Sequence, residues 1–191
     1  MSEQAQRKLL HTRSVECRGY QLDGGLWEIE GRMRDLKSFP MENEDRGGIA
    51  VGEPLHDIAL TLTLDRTLLI HRVEATIDAS PFRQCPRITG AFKVLEGMRL
   101  KSGFTREARD KLGGVNGCTH LLELLGPIAT TAFQTLWQSE NGYSGDDPGV
   151  INAIVDTCHT LARDGEVMQR VLPQSAGGDP SKTEPGKGFG T

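Results

Sequence analysis

In "HDIALTLTLDRTLLIHRVEATID" (56–78) apolar residues return at every second position in two successive runs, 58–64 and, with His71 among them, 69–77. A helix cannot place such a series on one face, whereas an extended strand does so automatically. Ile58, Leu60, Leu62 and Leu64 share one side, and Leu69, His71, Val73, Ala75 and Ile77 share the next. The break at Asp65-Arg66-Thr67 turns the pair into a hairpin. The same period runs through "LWEIEGRMRDL", where Trp27, Ile29 and Met33 oppose Glu28, Glu30, Arg32 and Arg34. "SVECRGYQL", ahead of Asp23-Gly24-Gly25, pairs with that strand in the same way. A roughly four-stranded antiparallel meander with one wet face follows. The Gly- and Pro-punctuated stretch 38–54 is a long loop within it.

The second half changes period. Helices are expected from Pro86 to Met98, from Thr105 to Leu112 with Gly113-Gly114 closing it, from about Thr119 to Trp137, and from Pro148 to about Arg163. Pro127 should kink or restart the third of these. In the fourth, Ile151, Ile154, Val155, Cys158 and Leu161 should point inward. Strands first and helices second define an α+β chain with the helices on one sheet face. A flexible start (1–10), one α+β domain (11–173) and a disordered tail (174–191) complete the expected organisation, because the tail has almost nothing to bury.

A chain of 191 residues suffices for one real core. Its net charge of −4 and its scattered Lys and Arg offer no basic patch for nucleic acid or anionic lipid. No apolar run approaches the length of a membrane span or a signal peptide. The four cysteines, at 17, 85, 118 and 158, are widely and irregularly spaced, which favours free thiols and a cytoplasmic protein. The oligomeric state stays open, a homodimer included.

Chemistry has three candidate locations. Cys118-Thr119-His120 lies where the longest helix begins. Thr119 is a plausible N-cap, and the unpaired N–H groups of a helix start favour a thiolate at Cys118, with His120 as its base or as a ligand. The alternative is a capped helix start with a small buried thiol. Second, His56 and His71 fall on the apolar parity of their strands, with Asp57 and Asp78 nearby. A carboxylate beside an inward imidazole suits proton transfer, whereas a lone inward histidine is usually a satisfied core residue. Third, Glu28, Glu30 and Arg32 share a strand face that Arg13 approaches. They form an exposed ladder, or, if covered, a carboxylate base beside an anion-binding Arg. Donors for a metal exist at His11, His56, His71, Cys118, His120, Cys158 and His159, but no HxH, CxxC or HExxH spacing organises them. Nucleotide-binding spacings are also missing, so no organic cofactor is expected.

The motifs "HTR…CRGYQLDGGLWEIEGRMRDLK", "GEPLHDIALTLTLD", "PFRQCP" and "GGVNGCTHLLELLGPIATTAFQTL" together resemble a proteobacterial family of unknown function. The resemblance spans about residues 11 to 172. It implies a single-domain bacterial protein of about this length, associated with catabolism of aromatic or acyl-CoA compounds. The family-like motifs contain His11, Arg13, Trp27, Glu30, His56, Asp57, Cys85, Cys118 and His120, and the family assigns none of them a catalytic role.

The leading expectation is a small cytoplasmic enzyme without an organic cofactor. It would act as an acid–base lyase (of the retro-aldol or deformylating type) or an isomerase on an aromatic or acyl catabolic intermediate. In this scheme His56, oriented by Asp57, or else Glu30, is the base. Arg13 and the amides near Cys118 stabilise an oxyanion, and His11 and Trp27 contact the substrate. Two alternatives stand beside it. One is a Zn- or Fe-dependent enzyme using Cys118, His120 and a strand histidine. The other is a non-catalytic protein that binds a small molecule.

Overall fold

The computed structural model describes residues 6–145 and 147–172. Its first half is an antiparallel sheet of β1 (His11–Leu22), β2 (Leu26–Lys37), β3 (Pro54–Asp65) and β4 (Ile70–Ala79), in the order β1-β2-β3-β4. The expected meander is therefore observed. Gly24 and Gly25 both take positive φ between β1 and β2, so the turn there suits residues without a side chain. At the β3–β4 turn the Asp65 carboxylate accepts bonds from Thr67 N at 2.7 Å, Thr67 Oγ1 at 2.6 Å and Leu69 N at 3.2 Å. The expected long loop lies between β2 and β3, folded on itself through a bridge between Met41 and the buried Ile49.

Register decides which residues meet. Trp27 sits opposite Leu64, Ile29 opposite Leu62, Gly31 opposite Leu60, Met33 opposite Ile58 and Asp35 opposite His56. Apart from its last pair, this row is the buried apolar face. The alternate row pairs Glu28, Glu30, Arg32 and Arg34 with Thr63, Thr61, Ala59 and Asp57. One histidine expectation needs correction. A bulge between Thr63 and Leu64 pairs Leu64 with Ile70, so Ile70 takes the inward place and His71 becomes the extra residue. His71 is exposed, and its Nε2 lies 2.9 Å from Asp65.

After the sheet, Cys85–Leu95 forms a 3₁₀ helix rather than an α-helix and buries Phe92 and Leu95. It is followed by α1 (Phe104–Leu112) and α2 (Thr119–Leu136). Helix α2 continues through Pro127 without restarting and buries Leu121, Leu124, Leu125, Ile128, Ala132 and Leu136. It packs on β2, β1 and β3. Two glycines permit this approach. A Cβ at Gly31 would stand 2.7 Å from the Ile128 side chain, and one at Gly19 would stand 1.8 Å from Thr135 Oγ1. No helix among the described residues is long and apolar enough to cross a membrane.

The chain divides into two compact units, 1–142 and 143–191. The second holds α3 (Pro148–Ile154), a 3₁₀ turn at His159–Leu161, and α4 (Glu166–Val171). Asp147 caps α3 by accepting from Gly149 N at 2.9 Å. The single helix expected up to Arg163 instead stops at Ile154, and Asp156 takes a positive φ. Cys158 is consequently exposed rather than inward. The expected disordered tail lies outside the described residues, as do residues 1–5 of the expected flexible start.

Candidate functional site

Asp35 occupies the last inward position of β2 before the register shifts between Asp35 and Leu36. Its side chain is 1% exposed, and a buried carboxylate must find partners or lose its charge. Arg13, directly opposite on β1, supplies a fork: Nε donates to Oδ1 and Nη2 to Oδ2, both at 2.8 Å. His56 Nδ1 lies 2.9 Å from Oδ2, and His11 Nε2 lies 3.2 Å from Oδ1. Burial pushes the Asp35 pKa up, but the bonds and charges of Arg13 and His56 outweigh it, and the pKa falls to about 2.

Helix α2 closes the site from above. Arg13 Nη1 donates to Glu123 Oε2 at 2.6 Å, which joins β1 to the first turns of α2. His120 lies against His56, with ring centroids 3.9 Å apart and planes tilted by 38°. Burial lowers the His120 pKa, and the neighbouring His56 and Arg13 lower it further, so His120 is neutral at pH 7. An ionised carboxylate, a guanidinium and two stacked imidazoles thus converge from β1, β2, β3 and α2. With Nδ1 facing the carboxylate, His56 is assigned the tautomer that leaves Nε2 to accept a proton.

Of the residues singled out in the sequence, His11, Arg13, His56 and His120 come together. The others do not. Asp57 does not orient His56. It points to the opposite sheet face, where Arg32 Nε (2.6 Å), Arg32 Nη2 (2.8 Å) and Arg34 Nε (3.2 Å) hold it. The reason is strand alternation, since consecutive residues face opposite sides. Glu30 is on that same face and accepts from the Tyr20 hydroxyl at 3.3 Å, so it is a ladder residue and not a base beside Arg13. Trp27 is a core residue with 1% exposure, eight positions along β2 from Asp35, or about 26 Å at the strand rise. It cannot share a small substrate with that cluster. Cys118, not Thr119, is the N-cap residue of α2, and its side chain makes no capping bond.

Sequence reasoning missed Asp35. The available signal was its parity: Trp27, Ile29, Gly31, Met33 and Asp35 share one face, and a lone carboxylate on an otherwise apolar face demands a partner.

Among the described residues, Asp35, His56 and His120 also form a group whose ligand-capable atoms all lie within 4.8 Å of one another, the span a metal ion would bridge after a small closure. Both Asp35 oxygens already carry Arg13, His11 and His56, so a metal there would compete with these partners for the carboxylate. Neither Cys118 nor His71 belongs to this group.

Compared with known proteins, residues 11–134 match one family model, described as "Protein of unknown function (DUF2889)". No curated protein and no solved structure matches the chain.

Proposed function

The chain belongs to that family, and because its description states no reaction, we propose from the site itself an acid–base enzyme that needs no organic cofactor. The reading is of a lyase or isomerase acting on a small aromatic or acyl compound that carries a carbonyl group. A single observation carries it: the His56–Asp35 hydrogen bond of 2.9 Å, fixed by the Arg13 fork and set against a neutral His120. Asp35 orients His56 and stabilises the imidazolium that forms when Nε2 takes a proton. Three of the five N–H donors of Arg13 go to Asp35 and Glu123, so in this reading Arg13 acts first as a positioning residue. The oxyanion role falls to the first N–H groups of α2, which have no intrahelical partner.

For a β-hydroxy carbonyl substrate the steps balance. His56 removes the hydroxyl proton, and the alkoxide becomes a carbonyl as the adjacent C–C bond breaks. The bond's electrons pass into the second carbonyl as an enolate, and the imidazolium returns the proton to its carbon. The test is a panel of aromatic β-hydroxy carbonyl compounds assayed in D₂O, with product deuteration followed by NMR. His56→Gln is expected to lower kcat by about 10²- to 10⁴-fold while leaving the fold intact. Wild-type turnover in that variant would sink the proposal.

The clustering of Asp35, His56 and His120 favours one second reading, a Zn- or Fe-dependent enzyme built on those three ligands. Elemental analysis of protein purified without chelator separates the two. Near-stoichiometric metal that disappears in His120→Ala supports the metal reading.

A further inference from the structure

Because the strands form an antiparallel meander, the start of β1, the end of β2, the start of β3 and the end of β4 share one end of the sheet. Asp35, His11 and His56 are at that end. So is a cleft of about 500 Å³, a volume typical of small-molecule sites. The loop after β2 contributes Asp45, the segment after β4 contributes Phe82, Cys85 and Ile88, and the approach to α2 contributes Val115 and Cys118.

The chemistry of this wall is specific. Phe82 is 60% exposed and Val115 is 95% exposed. An isolated exposed apolar side chain means little, but two of them around one cleft, with Ile88 and two polarisable thiols, make a surface suited to an aromatic ring. The charged side chain of the set is acidic: Asp45 accepts from the backbone N–H of Arg83 at 2.9 Å. A carboxylate in the wall disfavours an anionic ring. Cys118 precedes His120 by two residues, so their backbones are separated by no more than about 7 Å. The cleft wall at Cys118 therefore adjoins the start of α2 that carries His120, although neither imidazole lines the cleft itself.

We infer that the cleft bounded by Phe82, Ile88, Val115 and the thiols of Cys85 and Cys118 binds the uncharged aromatic ring of the substrate. This rests on the proton-transfer reading for the choice of substrate, but the binding itself is separable from turnover.

Alkylation by iodoacetamide, read peptide by peptide by mass spectrometry, tests it with 2-naphthol as the probe. The exposed Cys158, in the other unit, is the internal control. With 2-naphthol at about four times its Kd, the alkylation rates of Cys85 and Cys118 should fall about fivefold while that of Cys158 is unchanged. The substitution Val115→Asp, at a fully solvated position, should remove the protection without affecting folding, and His56→Gln should retain it. Unprotected Cys85 and Cys118, equal slowing at Cys158, or full protection in Val115→Asp would overturn the inference. Protection without any proton-transfer activity would instead refute the catalytic reading and leave the cleft standing. Turnover without protection would refute the cleft alone.

Discussion

Burial would keep the Asp35 carboxyl protonated to a higher pH than usual, yet Arg13 and His56 bring its pKa down to about 2. A folded value below the ordinary 3.8 means that the folded state releases this proton more readily than the unfolded chain. The resulting stabilisation, on the order of 2 kcal/mol, is complete above the unfolded pKa and disappears as pH falls through the folded one. Acid titration followed by circular dichroism should therefore show wild type losing stability between about pH 4 and pH 2. In Asp35→Asn that loss should shrink without vanishing, because the Asp65 carboxyl, bonded to Thr67, His71 and Leu69, is also held at a pKa of about 2. Stability at pH 7 should already be lower by about 2 kcal/mol. Of the partners of Asp35, His56 was legible as an inward residue because it shares the parity of Ile58 and Leu60. Arg13, by contrast, was expected at the Glu28–Glu30–Arg32 face and instead meets Asp35 on the other side of the sheet. Asp35 itself was legible in principle by the same rule. The mispairing of His56 with Asp57 came from treating sequence neighbours as spatial neighbours, which a strand forbids.

Helix α2 sits where two missing side chains allow it, which ties the site to a packing contact far from it. Gly31→Ala should cost about 1–3 kcal/mol, because a methyl 2.7 Å from Ile128 forces one of the two to move. Adding Ile128→Val should recover part of that loss, and urea denaturation of the single and double variants measures the coupling. The β3–β4 turn has a similar dependence on one carboxylate. Asp65→Ala leaves Thr67 N and Leu69 N without their acceptor and should cost about 1–2 kcal/mol in the same experiment. Strand periods and the extent of α2 could be read from apolar spacing alone. The bulge that turned His71 outward could not, because alternation carries no mark of where one strand gains a residue. The early end of α3 was hidden for a related reason: the apolar spacing continues past Ile154 although the backbone turns at Asp156.

At the level of the molecule, the family match over 11–134 falls wholly inside the first unit, which ends at Gly142. A chain truncated after Gly142 should accordingly retain the sheet and α2 and melt cooperatively, as measured by calorimetry and an amide NMR spectrum. The α+β class was legible because period two fills one half of the sequence and helical period the other. The cluster was not, since it joins Arg13 to Glu123 across 110 positions. That separation has a consequence for synthesis. Each strand of the meander pairs with the one made just before it, so the sheet can form in the order in which the chain leaves the ribosome. Arg13 meets Asp35 as soon as the first hairpin has emerged, and His56 joins with the third strand. His120 and Glu123 are translated more than sixty residues after His56. Assembly of the cluster thus waits for α2, and a nascent chain stalled before residue 119 carries the Asp35–His56 pair without its second imidazole. In time as well as in space, α2 completes the site.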